Sequence, residues 1–117
     1  MSKPKTDFLG QPFTEGGWIA ATGKGNSHAE YGMILYQITE ILPDKLKARR
    51  LRVSYKDRKP SVTVGNVRVS NPNKYIVVHP PAQVTDLFQR AVDSVLTDAD
   101  CTLIGKWIHG MEEGLFA

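Results

Sequence analysis

The 117-residue chain is 41% apolar and 23% charged, and its formal net charge is +3. This length and composition are those of one globular domain that buries a core without disulfide or metal staples. No apolar run reaches the roughly 20 residues of a membrane helix, and the N-terminus lacks the apolar region of a secretory signal. With its single cysteine, Cys101, the sequence predicts a soluble cytoplasmic protein in a reducing compartment.

The first part of the chain predicts short strands that are separated by turns. Residues 1–15 are expected to form an extended N-terminal segment. Apolar, β-branched and aromatic residues then predict strands over 18–21 and 31–42, joined by a loop rich in Gly, Asn and Ser over 22–30. Pro43-Asp44-Lys45 predicts a reverse turn, so the next strand is expected to pair with 31–42 as a hairpin.

The strand after this turn, LKARRLRVSYKDRKP over residues 46–60, has apolar residues of both parities. Leu46 and Ala48 fall on one face of a strand, whereas Leu51 and Tyr55 fall on the other. A β-bulge between the two pairs would bring both to one core. On this interpretation Tyr55 is a core residue.

The strands that follow complete a small sheet. Apolar residues change parity again across Gly65-Asn66, which predicts either a second bulge or a tight two-residue turn. A short buried strand is expected over 75–79. Because several of these short strands are bent, residues 16–79 are predicted to form a small SH3-like antiparallel β-barrel of about five strands.

Two helices are predicted in the last third of the chain. An amphipathic stripe with apolar residues at i, i+3, i+4 and i+7 predicts a helix over 82–96. Thr97 and Asp100 have the spacing of a capping box, which predicts a second helix over 98–115. The expected fold class is therefore α+β, with an SH3-like barrel followed by two C-terminal helices in a single domain over residues 1–117.

No pattern of residues in the sequence supports catalysis or metal binding. The loop TGKGNS over 22–27 lacks the spacing of a phosphate-binding loop. His28, His79 and His109 are not spaced as metal ligands, and Cys101 falls on the apolar stripe of a helix, as an inert core thiol does. We therefore predict a protein that is not an enzyme, with no catalytic residue, no metal and no cofactor.

Basic residues are concentrated in the middle of the chain. Residues 1–44 carry a net charge of −2, residues 45–74 carry +9, and residues 75–117 carry −4. Such a distribution indicates a polyanionic partner, or else a solvated basic face beside acidic neighbours. Since Arg and Lys bind phosphate groups, the first hypothesis is nucleic-acid binding by seven cations. They are Lys47, Arg49, Arg50, Arg52, Lys56, Arg58 and Lys59.

The C-terminal segment 103–116 offers a second candidate surface. Trp107, Ile108 and Met111 either pack into the core or form a partner interface, because Trp and Met are favoured anchors at interfaces. The alternative function is therefore a protein-binding or host-modulating factor that uses this helix, or that uses the basic face against an acidic target. A homodimer through the C-terminal helix is one form of this hypothesis. No membrane partner is expected.

The order GGWIAA…YGMILYQITEIL…LKARRLRV…YIVVHP…VTDLFQRAV resembles small uncharacterised phage-encoded proteins. The resemblance covers about residues 16–92. It implies an SH3-like barrel in a phage or prophage accessory protein that acts in the cytoplasm of the host cell, on host nucleic acid or on a host protein. It implies no catalytic residues, and it does not extend to residues 98–117.

Overall fold

A computed structural model describes residues 6–22 and 33–109, which contain five strands and two α-helices. The strands follow one another in the sheet in the order β4-β3-β2-β1-β5. A short 3-10 turn over Pro72–Lys74 precedes the last strand. The elements are β1 (Trp18–Thr22), β2 (Met33–Ile41), β3 (Leu46–Lys56), β4 (Lys59–Val69), β5 (Ile76–Val78), α1 (Ala82–Val92) and α2 (Asp98–His109).

The predicted α+β class is confirmed, with a five-stranded antiparallel sheet followed by two helices. β4 and β5 lie at the two ends of the strand order, so the sheet formed by the described strands is open and gives no support to an SH3-like barrel. Of the two alternatives at Gly65-Asn66, the tight turn is excluded, because β4 runs through both residues.

The chain divides into two compact units. β3 and β4 contribute to both, with the division after Arg50 in β3 and before Gly65 in β4. Among the described residues, the first unit contains 6–21, 33–50 and 65–79, and the second contains 22, 51–64 and 80–109.

The core of the first unit is formed by apolar side chains from the sheet and from the segment before β1. Tyr36 and Tyr75 pack against this core in an edge-to-face pair, with ring centroids 5.4 Å apart. Burial, and secondarily the neighbouring Tyr36, raises the pKa of Tyr75. The buried side chains are Phe13, Ile19, Ile38, Leu46, Ala48 and Val69.

Residues 6–15, the described part of the predicted extended segment, are irregular, with one turn over 7–10 and a second that begins at Thr14. A bridge between Thr6 and Pro12 closes the first turn, and its carboxylate, Asp7, is only 5% exposed. Asp7 accepts hydrogen bonds from the backbone N–H groups of Leu9 and Gln11, both at 2.8 Å, and from that of Val77 at 2.6 Å. The side-chain amide of Gln11 donates a fourth, at 2.9 Å.

β3 buries residues of both parities, but in two different units. Leu46 and Ala48 are buried in the first unit, and Leu51 is buried in the second. Because each unit draws on one parity, β3 does not need an inserted residue to bury both sets. The bulge predicted between residues 48 and 51 is therefore not required, and the register shift found between β2 and β3 lies elsewhere, in β2.

β2 contains an extra residue at Thr39. Ile38 is opposite Ala48 and Glu40 is opposite Lys47, so two steps along β2 match one step along β3. Ile38 and Ile41 have opposite parities, and the extra residue allows both to pack on the same core. Thr39 and Glu40 are left exposed.

β3 and β4 are joined by a two-residue turn, Asp57-Arg58. Both residues have positive φ, 53° for Asp57 and 65° for Arg58. Positive φ at both central positions is the signature of a type I′ hairpin turn, which fits the twist of the flanking strands and usually contains Gly. The turn thus holds an arginine in a backbone conformation that side chains disfavour.

The apolar stripe predicted for the first helix is confirmed by burial. Val84, Leu87, Phe88 and Ala91 of α1 are buried, but Val95 is 59% exposed. The stripe loses Val95 because α1 ends at Val92 and not at residue 96.

Ser94 ends α1. Its φ is +58°, its N–H donates to the carbonyl of Ala91 at 3.1 Å, and the N–H of Val95 donates to the carbonyl of Arg90 at 3.0 Å. These two bonds form a Schellman motif, in which Gly is the usual residue at the position of Ser94.

The capping box predicted for the second helix is confirmed. The N–H of Asp100 donates to the hydroxyl of Thr97 at 3.1 Å, and the N–H of Thr97 donates to the carboxylate of Asp100 at 3.0 Å. Arg90 of α1 forms an ion pair with the same carboxylate at 2.9 Å. α2 is described as far as His109, and the rest of the helix predicted to residue 115 lies outside the described residues.

Candidate functional site

The structure divides the seven predicted cations between the two units. Three belong to the first unit, where β3 lies beside β2, and four belong to the second, around the hairpin turn. We call this second group the tip cations. The first group is Lys47, Arg49 and Arg50, and the tip cations are Arg52, Lys56, Arg58 and Lys59.

The first group is engaged with neighbouring side chains. Lys47 Nζ lies 3.4 Å from Glu40 Oε1. Arg49 donates from Nε and Nη2 to Oε1 of Gln37, at 2.9 and 2.7 Å, across the β2–β3 pair. Arg50 is half-buried and also has an interaction partner. As a set, these three are not a free cationic surface.

The tip cations differ, since all four are exposed. Within residues 6–22 and 33–109, no carboxylate lies within ion-pair distance of any of them. Arg52 and Lys56 have the parity opposite to that of buried Leu51, so they lie on the outward face of β3. Lys56 and Lys59 flank the two-residue turn and therefore face each other across the hairpin, where like charges repel.

Tyr55 is not a core residue, because it is 48% exposed. Its ring stacks on that of His109, with centroids 5.4 Å apart, and its hydroxyl lies 3.1 Å from His109 Nδ1. A Cβ on Gly105 would lie 2.8 Å from the same hydroxyl. Gly105 therefore lets Tyr55 approach α2 closely, a role that the sequence analysis did not assign.

The proposed partner residues of the second helix are only partly described. Trp107 and Ile108 are half-buried, and Trp107 has an interaction partner within the protein. Met111 lies outside the described residues. The choice between core and interface for this helix stays a prediction.

The described residues of the first unit line at least two clefts. One, of about 270 Å³, lies beside Trp18 and His79. The other, of about 370 Å³, has the extra residue of β2 in its lining, and we call it the Thr39 cleft. It is lined by Thr39, Lys47, Ala48, Asn66, Val67 and Arg68.

Arg68 is a cation of the Thr39 cleft that the sequence analysis did not assign to a site. The sequence does contain a pattern that places Arg68 on the outward face of β4, because Arg68 alternates with Val67 and Val69, which face the core. Counting outward from the Asp57-Arg58 turn pairs Arg68 with Lys47 in an unshifted hairpin. That count requires the turn to be located first.

The described residues show little that suggests metal or redox chemistry. No three His, Cys, Asp or Glu side chains among them are grouped so that they could hold a metal ion. Cys101 is a free, half-buried thiol. Across residues 6–22 and 33–109, no helix has the length and apolar character needed to cross a bilayer.

No protein-family model, no curated protein and no solved structure matches this chain significantly. The resemblance to phage-encoded proteins stays a prediction.

Proposed function

We propose that this chain is a small binding protein that contacts nucleic-acid phosphates through the tip cations. The observation that carries the proposal is that these four side chains are exposed and have no carboxylate partner among the described residues. Arg and Lys in this state are available to neutralise phosphates and to release condensed counterions. By resemblance, the setting would be the host cytoplasm of a phage-encoded protein.

The local backbone supports a role beyond solvation. A solvated hairpin end would be more stable with Gly at position 58, because an L-residue at positive φ costs about 1–2 kcal/mol. It would also be more stable with opposite charges at Lys56 and Lys59. The chain instead carries Arg at a φ of 65° and two lysines across the turn. Strain of this kind is a reason to propose function at the site.

The contacts we propose are to the backbone of the nucleic acid and not to its bases. Sequence-independent single-strand binding normally adds aromatic stacking to a basic groove. Two tyrosines that could supply such stacking already pack against aromatic rings of the protein, Tyr55 against His109 and Tyr75 against Tyr36. Phosphate contacts by themselves position a protein on nucleic acid without reading sequence.

The test is the salt dependence of binding to a short mixed-sequence duplex, measured by fluorescence anisotropy with the purified protein. Four phosphate contacts predict a slope of log K against log salt of about −3.5. Lys59→Glu should reduce the magnitude of this slope by about 0.9. Lys74→Glu is the matched control, because it makes the same charge change at an exposed lysine outside the hairpin and should leave the slope nearly unchanged.

Two results would count against the proposal. If the wild-type protein does not bind duplex or single-stranded nucleic acid at low salt, the tip cations are a solvated face. If Lys59→Glu and Lys74→Glu weaken binding equally, affinity follows net charge and not this hairpin.

A protein-binding function is the second candidate, and one observation favours it at a place the sequence did not indicate. Phe8 and Leu9 are 73% and 63% exposed, and the turn that presents them is fixed by Asp7. Ordered, exposed apolar side chains are typical anchors for a protein partner. If they mediate self-association, Phe8→Ser with Leu9→Ser should abolish concentration-dependent dimerisation in sedimentation experiments. A wild-type chain that stays monomeric at high concentration would exclude this form.

A further inference from the structure

We infer that the Thr39 cleft is a seat for one phosphate group, held by Lys47 and Arg68 with Thr39 and Asn66 as neutral donors. The inference rests on the proposed function only where the phosphate belongs to a nucleic acid. It adds a defined site with its own residues, in the first unit.

The charge of the cleft favours an anion. Lys47 and Arg68 lie on neighbouring strands and line the same cleft, so two positive charges converge where like charges repel. Of the described carboxylates, Glu40 is the one paired with Lys47, and no ion pair joins a described carboxylate to Arg68. An anion between the two cations would relieve the repulsion that remains.

The neutral groups of the cleft fit the oxygens of a phosphate. The hydroxyl of Thr39 and the amide of Asn66 are hydrogen-bond donors, and such groups commonly accompany Arg and Lys on phosphates. Thr39 reaches this position because it is the extra residue of β2. Bulges that redirect a side chain are frequent next to functional sites.

Glu40 acts as the internal competitor for Lys47. Their side chains are 49% and 46% exposed, and an exposed ion pair of this kind contributes little to stability. A phosphate, which can accept several charge-assisted hydrogen bonds at once, can therefore displace the carboxylate. It follows that removing the charge of Glu40 should tighten phosphate binding.

The size of the cleft indicates more than a bare ion. A volume of about 370 Å³ lies at the lower end of the range for small-molecule sites, about 300–1,000 Å³. The cleft therefore has room for a phosphate with the sugar attached to it. A nucleoside monophosphate should bind more tightly than inorganic phosphate.

The experiment titrates the full chain with a nucleoside monophosphate and with inorganic phosphate, and follows backbone amide shifts by NMR. We expect saturable shifts at the strand residues around the cleft. Arg68→Gln should weaken binding about tenfold, the effect of losing one charge-assisted contact, and Glu40→Gln should tighten it several-fold. Lys74→Glu, at an exposed lysine outside both the cleft and the hairpin, should leave it unchanged. Arg68 and Glu40 are exposed, and melting temperatures check that each variant folds.

The outcomes separate this inference from the proposed function. Saturable binding that Arg68→Gln weakens, in a protein that does not bind duplex, supports the seat as a site for free nucleotide and overturns the proposed function. Duplex binding that depends on Lys59, with no amide shifts at the cleft, overturns the seat and leaves the proposed function. If Arg68→Gln does not fold, a Glu40→Gln variant with unchanged affinity is sufficient to overturn the seat.

Discussion

The carboxylate of Asp7 accepts a hydrogen bond from the backbone N–H of Val77 at 2.6 Å, which joins residues 70 apart in the sequence. Through this bond the turn before β1 is fixed to β5. Burial is the largest single influence on the pKa of Asp7 and would raise it, but the N–H donors of Val77, Gln11 and Leu9 and the Gln11 amide together lower it below its ordinary value. Asp7 is therefore ionised at neutral pH.

This lowered pKa predicts a specific acid sensitivity. The stabilisation by the Asp7 carboxylate is fully present above the unfolded-state pKa of about 3.9 and is lost as the pH falls through the lower folded-state pKa. Asp7→Asn should cost about 1–3 kcal/mol at neutral pH, because its amide N–H₂ would face backbone donors. The difference between the two proteins should shrink below about pH 4. Urea denaturation at a series of pH values measures both effects.

Asp86→Asn is the control for this prediction. Asp86 is an exposed carboxyl on α1, so its replacement should change stability by less than about 0.5 kcal/mol. An Asp7→Asn variant as stable as the wild type at neutral pH would show that the turn is not held by the carboxylate.

A second prediction concerns the close approach of Tyr55 to Gly105. Replacing a helical Gly with Ala usually gains about 0.8–1.0 kcal/mol, but here the new Cβ would lie 2.8 Å from the Tyr55 hydroxyl. Overpacking costs about 1–3 kcal/mol, so Gly105→Ala should be destabilising in the wild type. In a Tyr55→Phe background the hydroxyl is absent, so Gly105→Ala should stabilise the protein.

The wild type, Gly105→Ala, Tyr55→Phe and the double variant form a double-mutant cycle. Chemical denaturation measures the free energy of unfolding of each. The single Tyr55→Phe change should cost about 0.5–1.5 kcal/mol, the usual net value of one hydrogen bond. Strict additivity of the two changes would contradict the contact, since residues that touch show coupling of about 0.5 kcal/mol or more.

A third prediction compares two residues at positive φ, Arg58 and Ser94. Glycine fits both positions, so Arg58→Gly and Ser94→Gly should each stabilise the protein by up to about 1 kcal/mol. Only Arg58→Gly should weaken nucleic-acid binding, because it removes a tip cation. Thermal unfolding and anisotropy on the same samples measure the two quantities.

Ser94→Gly is the matched control in this pair, since it makes the same backbone change without a change in charge. If Arg58→Gly stabilises the fold and binds nucleic acid as the wild type does, the strain at the turn has no connection with phosphate binding.

A fourth prediction separates the capping box of α2 from the general effect of acids near a helix start. Asp98 and Asp100 both lie in the first turn. The N–H of Thr97 is the main cause of the lowered pKa of Asp100, with the Thr97 hydroxyl and Arg90 adding to it and burial opposing it. Asp100→Ala should therefore cost about 1–2 kcal/mol. Asp98→Ala should lose only the helix-dipole term, about 0.3–1 kcal/mol. If urea denaturation shows that Asp100→Ala and Asp98→Ala lower the free energy of unfolding equally, the capping box does not stabilise α2.

The elements best predicted from the sequence depend on residues close together in the chain. The Thr97–Asp100 box joins positions three apart, and the stripe of α1 follows the helical period. Each pattern involves residues of a single helix and its cap, so it can be recognised without knowledge of the tertiary structure. The early end of α1 was missed because Ser94 stands where Gly would have marked it.

The parity conflict in β3 was recognised, but its explanation required the tertiary structure. Leu46 and Leu51 are buried in different units, and no local pattern shows which core a strand residue joins. The same parity argument applies to Ile38 and Ile41 in β2. These two residues have opposite parities but pack on one core, and this requires the extra residue at Thr39. Asp7 was missed for a related reason, since its main partner is 70 residues away.

The extra residue in β2 makes this strand tolerant of one particular change in length. If Thr39 were deleted, Ile38 and Glu40 would become adjacent, and the alternation of faces would run unbroken from Tyr36 to Ile41. Ile38 and Ile41 would both still face the core, and Glu40 and Ile41 would keep Lys47 and Leu46 as their partners on β3. A single-codon deletion there should thus be less damaging to the fold than a deletion elsewhere in β2, although it would remove the side chain that the bulge presents to the Thr39 cleft.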